Sequence, residues 1–281
     1  MKNLIWLICL LPFASVAQPF HITLWGGFAG YQGDLQNKRF AIGQSDYGGG
    51  IGVTYDISSR LAIRSNFSLG RVSAEDKNNE PSLQPRNLSF QSKITEGNLL
   101  LEWTFFDLDR QRLSPYIFAG IARYHFDPYA FDTLGNKIFL KPLSTEGQGL
   151  PQYPNIKPYK LGQWAIPFGG GIRLRVSDNV TLGYELGMRK LFTDSLDDVS
   201  GLYVDQFILA QEKGLKAVEM AFRAGEIKNS NATYPTAGDK RGGSQFKDWY
   251  YFHGLTVSFA LNSSGSGFGK KGSMACPRRI F

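Results

Sequence analysis

The chain has 281 residues, 32 glycines, 14% aromatic residues and a formal charge of +7, which falls to +6 if Lys2 is removed. That charge is too diffuse to argue for nucleic-acid binding, though it suits anionic lipid or an acidic partner. After the first residues no apolar run reaches about 18, which excludes a spanning helix, and the two cysteines, Cys9 and Cys276, cannot provide an internal disulfide framework once the leader is gone.

Lys2, the apolar run Leu4 to Phe13 and the small residues Ser15-Val16-Ala17 have the layout of a secretory signal peptide, 1–17. Cys9 lacks the small residues that a lipobox places before its cysteine, so a lipoprotein is not expected. From Ile22 to Tyr31 apolar residues and glycine alternate, with Leu24 and Phe28 on one face and Thr23 and Trp25 on the other. Tyr47, Ile51, Val53 and Tyr55 form the outward face of a second strand. The turn 56–60 leads to a third strand with Ile63, Phe67 and Leu69 outward and Arg64 inward. After a loop at 76–87, Leu99, Leu101, Trp103 and Phe105 point outward while Glu96 and Glu102 point inward. Beyond the short turn 107–112, Arg123 and His125 are taken to fix the inward phase of the fifth strand. That choice predicts Tyr116, Phe118, Tyr124 and Phe126 on the outside.

A long segment, 127–162, precedes the clearest hairpin. Trp164, Ile166, Phe168, Ile172 and Leu174 alternate with small residues, Arg173 and Arg175. After Ser177-Asp178-Asn179, Val180, Leu182, Tyr184 and Leu186 alternate with Thr181, Gly183, Glu185, Gly187 and Arg189. Strands past ten residues with terminal aromatics match the 9–11 tilted residues that cross a bilayer. A final strand runs from Trp249 to Leu261. The expectation is an all-β fold: an eight-stranded antiparallel up-and-down transmembrane β-barrel over 18–262, followed by a flexible periplasmic C-terminal tail, 263–281. Connections alternate long and short, which predicts extracellular long loops, periplasmic turns and both termini in the periplasm. Eight strands leave an interior filled by side chains. Arg64, Glu96, Glu102, Arg123, Arg173, Arg175, Glu185 and Arg189 are expected to meet there as a charge network.

Within the last loop, 193–247, Ile208, Gln211, Leu215, Val218 and Phe222 recur at helical steps, predicting one short amphipathic helix within 204–223. Gly214 and Gly225 limit its length. Its apolar side either packs on the barrel rim or on the other long loop, or it offers a docking surface for another protein. Asp194, Asp197, Asp198 and Asp205 could hold calcium, but without an EF-hand pattern a solvated rim loop is the better reading. Gly48 to Gly52 lacks the lysine and helix of a phosphate loop. His21, His125 and His253 lack metal-ligand spacing. No activated nucleophile or carboxylate pair stands out, so neither enzyme activity, cofactor nor metal is expected. Cys276 is either a free thiol without consequence or a residue that pairs with a cysteine of another chain.

Several runs are more specific. PYIFAGIARYHFDP (115–128), KPLSTEGQGLP (141–151), AIPFGGGIRLRVSDNVTLGYELGMRKLFTDSLDDVSGLYVD (165–205), KDWYYFHGLTVSF (247–259) and the closing Cys276-Pro277 resemble the Bacteroidota outer-membrane barrel family that includes PorG of the type IX secretion system. The resemblance implies a non-enzymatic component of a secretion machine, associated with a periplasmic ring of a lipoprotein (PorK) and its partner (PorN). It also implies Cys276 as a covalent link to that ring. The rival expectation is a binding module or adhesin-like barrel that uses its long extracellular loops.

Overall fold

The computed structural model describes residues 20–36, 42–243 and 247–261. The signal peptide 1–17, the tail 263–281 and Cys276 lie outside the described residues. Ten strands are formed: β1 (Phe20–Gln32), β2 (Ser45–Asp56), β3 (Leu61–Glu75), β4 (Ser89–Thr104), β5 (Leu113–His125), β6 (Pro128–Phe131), β7 (Lys137–Phe139), β8 (Gly162–Arg175), β9 (Val180–Leu191) and β10 (Trp249–Ala260). Eight of them pair antiparallel in the order β3-β2-β1-β10-β9-β8-β5-β4, and β3 pairs again with β4. That last ladder runs from Leu61↔Trp103 to Glu75↔Ser89 and closes the barrel. Closure leaves no open edge, the condition under which strands can cross lipid. The two short strands β6 and β7 form a hairpin that continues β4 at the long-loop end.

The outer wall is an apolar belt. Leu24, Ile51, Val53, Phe67, Leu99, Ile121, Ile172 and Leu255 are all exposed on the isolated chain. Aromatics flank the belt, with Phe20 against Tyr55 at the short-turn end and Phe28 against Tyr47 at the other. This is how lipid-facing barrels are bounded. No helix among the described residues is long and apolar enough to cross a membrane; the crossing is made by strands. At 15 and 16 residues, β3 and β4 exceed the length of a crossing and carry the barrel wall on past the belt.

The fifth strand overturns the predicted phase. Arg123, His125, Ile117 and Ile121 point outward, whereas Tyr116, Phe118, Tyr124 and Phe126 are buried in the lumen. Volume matching across β5 and β8 explains it. Tyr116 pairs with Gly171 and Phe118 with Gly169. A Cβ on Gly171 would lie 2.8 Å from the Tyr116 ring, and one on Gly169 2.9 Å from Phe118. The glycines hold the room that the aromatic rings occupy, so packing rather than charge sets the phase. The predicted helix is also two: α1 (Gln206–Lys213) and α2 (Leu215–Ala221), divided at Gly214, whose φ of 87° is left-handed backbone that glycine tolerates. Asp205 caps α1 by accepting from the amides of Phe207 and Ile208.

Candidate functional site

Alternation along the strands sends every second side chain inward, and the middle of the lumen collects charges from four strands. Arg64 on β3 lies 2.7 Å from Glu185 on β9 and 3.6 Å from Glu102 on β4. Arg173 on β8 donates through both terminal nitrogens to Glu102. Tyr116 donates to Glu185 at 2.6 Å. Above them Arg189 on β9 meets both oxygens of Glu96 at 2.9 and 3.0 Å, and Tyr250 and Asn98 donate to the same carboxylate. Three guanidiniums thus face three carboxylates. The guanidiniums also stack on aromatic faces: Arg173 over Tyr116 at 3.9 Å and Arg189 over Phe252 at 4.6 Å. Such pairs survive burial because geometry and extra hydrogen bonds offset desolvation.

Two of the sequence-predicted network residues lie elsewhere. Arg123 is on the outer wall, its guanidinium 5.4 Å from the Trp164 ring. Arg175 keeps the inward phase but stands at the short-turn mouth, bonded to Asp109 and Asp178. A cavity beside the network, bordered by Arg64, Glu185 and Arg189, is about 20 Å³. That is room for about one water. Toward the long-loop end the lumen is filled by Tyr31, Phe90, Tyr124, Phe126, Tyr250 and Phe252.

Over this aromatic layer the four long loops join in one plug, held by buried arginines. Arg86 takes Asp76 in a bidentate pair and also donates to the carbonyls of Asp34 and Arg241. Arg241 bonds Glu146 at 2.9 Å and the carbonyls of Ala221 and Asp198. Glu146 in turn accepts from the amides of Ser200 and Gly201. Helices α1 and α2 add an apolar patch through Leu209, Ala217 and Ala221, packed with Leu150 and Val204. The helices therefore pack within the loops.

The acidic residues at the start of the last loop do not form the solvated rim expected from sequence: Asp194, Asp197 and Asp198 are 5%, 1% and 1% exposed. Asp198 accepts from Thr145 and Tyr159. Tyr31 Oη lies 2.5 Å from Asp197 Oδ2 and 3.1 Å from Asp248 Oδ1. One phenolic proton cannot satisfy two carboxylate oxygens, so a carboxyl proton completes this chain. Among the described residues neither oxygen of Asp194 has a hydrogen-bond partner. Burial pushes the Asp194 carboxyl up to about 7 and Asp198 up to about 6. Burial and neighbouring acids raise Asp197 and Asp248 well above the ordinary range. Among the described residues no group of acids, histidines or cysteines is arranged to hold a metal ion.

Closed strands, an apolar outer belt and a packed lumen define a membrane β-barrel of the outer-membrane kind. Residues 1–137 match the model of a family described as "Domain of unknown function (DUF6089)". Comparison with curated protein sequences gives no match. Among solved structures the chain is similar to Neisserial surface protein A, at 10% identity and a TM-score of 0.41 over 85% of this chain and 96% of that one. It is also similar to Ail of Yersinia pestis, solved with the heparin analogue sucrose octasulfate (8%, 0.39, 86% and 99%). A third is OprG from Pseudomonas aeruginosa (12%, 0.39, 86% and 97%). A shared barrel at such identities transfers no activity.

Proposed function

We propose that the protein is a structural outer-membrane component of a protein secretion machine of type IX, resembling PorG, that anchors or positions a periplasmic ring. The observation that carries this reading is the filled lumen. With ion pairs and aromatics along its axis and a loop plug above, the described residues leave no route for a substrate, and the barrel is left with its surfaces. In this arrangement both termini and the turns 56–60, 107–112 and 177–179 face the periplasm. The partners are ring proteins resembling PorK and PorN, a lipoprotein and its companion, and Cys276 forms the intermolecular disulfide. The sequence resemblance supports the type IX assignment.

Electrophoresis of outer-membrane extracts with and without reductant, for wild type and Cys276→Ser, tests it. The expected result is a high-mass band confined to unreduced wild type, with a ring protein identified in it by mass spectrometry. Identical monomer bands would remove the covalent tether. The second reading, a binding module, is favoured by the joining of the long loops into a single body by Arg86, Arg241 and Glu146. It predicts that truncation from Gly265 leaves function intact and that trimming the last loop abolishes it.

A further inference from the structure

The outward position of Arg123 has no role in the lumen, and it borders a break in the apolar belt. On the wall formed by β2 to β5 and β8, a groove of about 580 Å³ runs between Ile51, Phe67, Leu99 and Ile121. Its floor is small because the outward residues there are Ser65 and Gly97. A Cβ on Gly97 would meet nothing within 4 Å, so neither packing nor backbone requires the glycine. Arg123 stands directly across from Gly97 on one side and Trp164 on the other. Among the described residues its guanidinium is engaged by the Trp164 ring rather than by a carboxylate. Trp164 is exposed at the end of its strand nearer the long loops, where amphipathic rings mark the headgroup level.

The surroundings are cationic. His125 is the next outward residue on β5, and Lys93 lies further up β4 directly opposite Arg71. Like charges facing each other across a ladder are unfavourable without an anion between them. Arg71 has Asp46 at 2.6 Å, which leaves Lys93 without that partner. Asp127 is within electrostatic reach of two lysines, Lys137 and Lys141. Cations therefore outnumber acids at this part of the rim.

We infer that this groove with Arg123 is a binding site for one lipid of the leaflet at the long-loop end, an anionic phosphate-bearing lipid whose acyl chain fills the gap over Gly97 and whose phosphate is taken by Arg123. The groove lies inside the belt, so an acyl chain is its occupant. A planar guanidinium matches a phosphate through two parallel N–H bonds, and stacking on Trp164 holds it ready. The inference needs only the barrel in a membrane and is independent of any secretion role.

Native mass spectrometry of the folded barrel, taken from mixed micelles holding equal phosphatidylglycerol and phosphatidylcholine, tests the site. Wild type is expected to retain one lipid with a roughly fivefold preference for phosphatidylglycerol, the size of one cation's pull on anionic lipid. Arg123→Gln is expected to keep a lipid but lose the preference. Gly97→Leu, which fills the groove, is expected to lose both lipids. Folding is checked by the shift in gel mobility on heating, and Ser65→Leu replaces Gly97→Leu if the latter does not fold. Equal retention by all variants, or retention by wild type without preference (a general lipid annulus only), overturns the inference.

Discussion

The barrel lumen and the loop plug bury charge in opposite ways. In the lumen Arg64, Arg173 and Arg189 face Glu96, Glu102 and Glu185, and each carboxylate has a guanidinium partner. In the plug Asp194, Asp197 and Asp248 are buried close to Asp34, while Arg86 and Arg241 are taken by Asp76 and Glu146. A balanced set is held by ion pairs; an acidic excess is held by protons. The lumen should therefore depend on single partners and the plug on pH.

The largest effect is expected in the lumen. Glu102→Ala leaves Arg64 and Arg173 short of a carboxylate and should lower stability by about 3–5 kcal/mol, because an uncompensated buried charge costs more than the pair contributes. Urea unfolding in bilayers, followed by intrinsic fluorescence, measures it. A loss below about 1 kcal/mol would mean that water or Glu185 takes over.

The plug should respond to pH with the opposite dependence to that of a salt-bridged carboxylate. A carboxyl whose folded pKa is raised keeps its proton in the plug after the unfolded loop has lost its own. Its stabilising contribution is thus complete below the ordinary carboxylate pKa and is lost as pH rises through about 7 for Asp194. The total change is on the order of 2–4 kcal/mol. Amide protection factors in 192–243, corrected for the base-catalysed intrinsic rate, should be higher at pH 5 than at pH 8, and Asp194→Asn should flatten that difference. Equal protection at both pH values would show that the acids ionise without cost.

Two smaller effects concern shape. Gly169→Val drives a Cβ against the backbone oxygen of Leu186 and to 2.9 Å from the Phe118 ring, and should cost about 1–3 kcal/mol through overpacking in the β5–β8–β9 wall. Gly214→Ala keeps its surroundings open but forces alanine to a φ of 87°, for a loss of about 1 kcal/mol confined to α1 and α2. Thermal unfolding resolves the first, and exchange within 206–221 the second.

Period two made most of the barrel legible. Strands β1 to β4 and β8 to β10 follow the alternation of Leu24, Ile51, Phe67, Leu99, Ile172 and Leu255, and the even number with alternating loop lengths gives the closure. The phase of β5 was not legible from charge, because Arg123 lies beside Trp164 at the edge of the belt, where a long cationic side chain can reach the headgroups. The overlooked signal was the inward glycines Gly169 and Gly171, which call for large partners across the ladder. The acidic residues around Asp197 misled for a different reason. A run rich in Asp looks solvated until remote partners such as Tyr31 and Thr145 are brought to it by the fold. The β6–β7 hairpin is too short to stand out within a loop rich in glycine and proline.

A barrel whose lumen is filled has only its surfaces to offer a partner. Conductance of the refolded protein in a planar bilayer tests the filled lumen most directly. The account predicts no unitary steps for wild type at neutral pH. Reproducible steps from protein whose heat-shifted gel mobility confirms the folded barrel would contradict it, because ions would then pass where Arg64, Glu185, Tyr124 and the plug are placed.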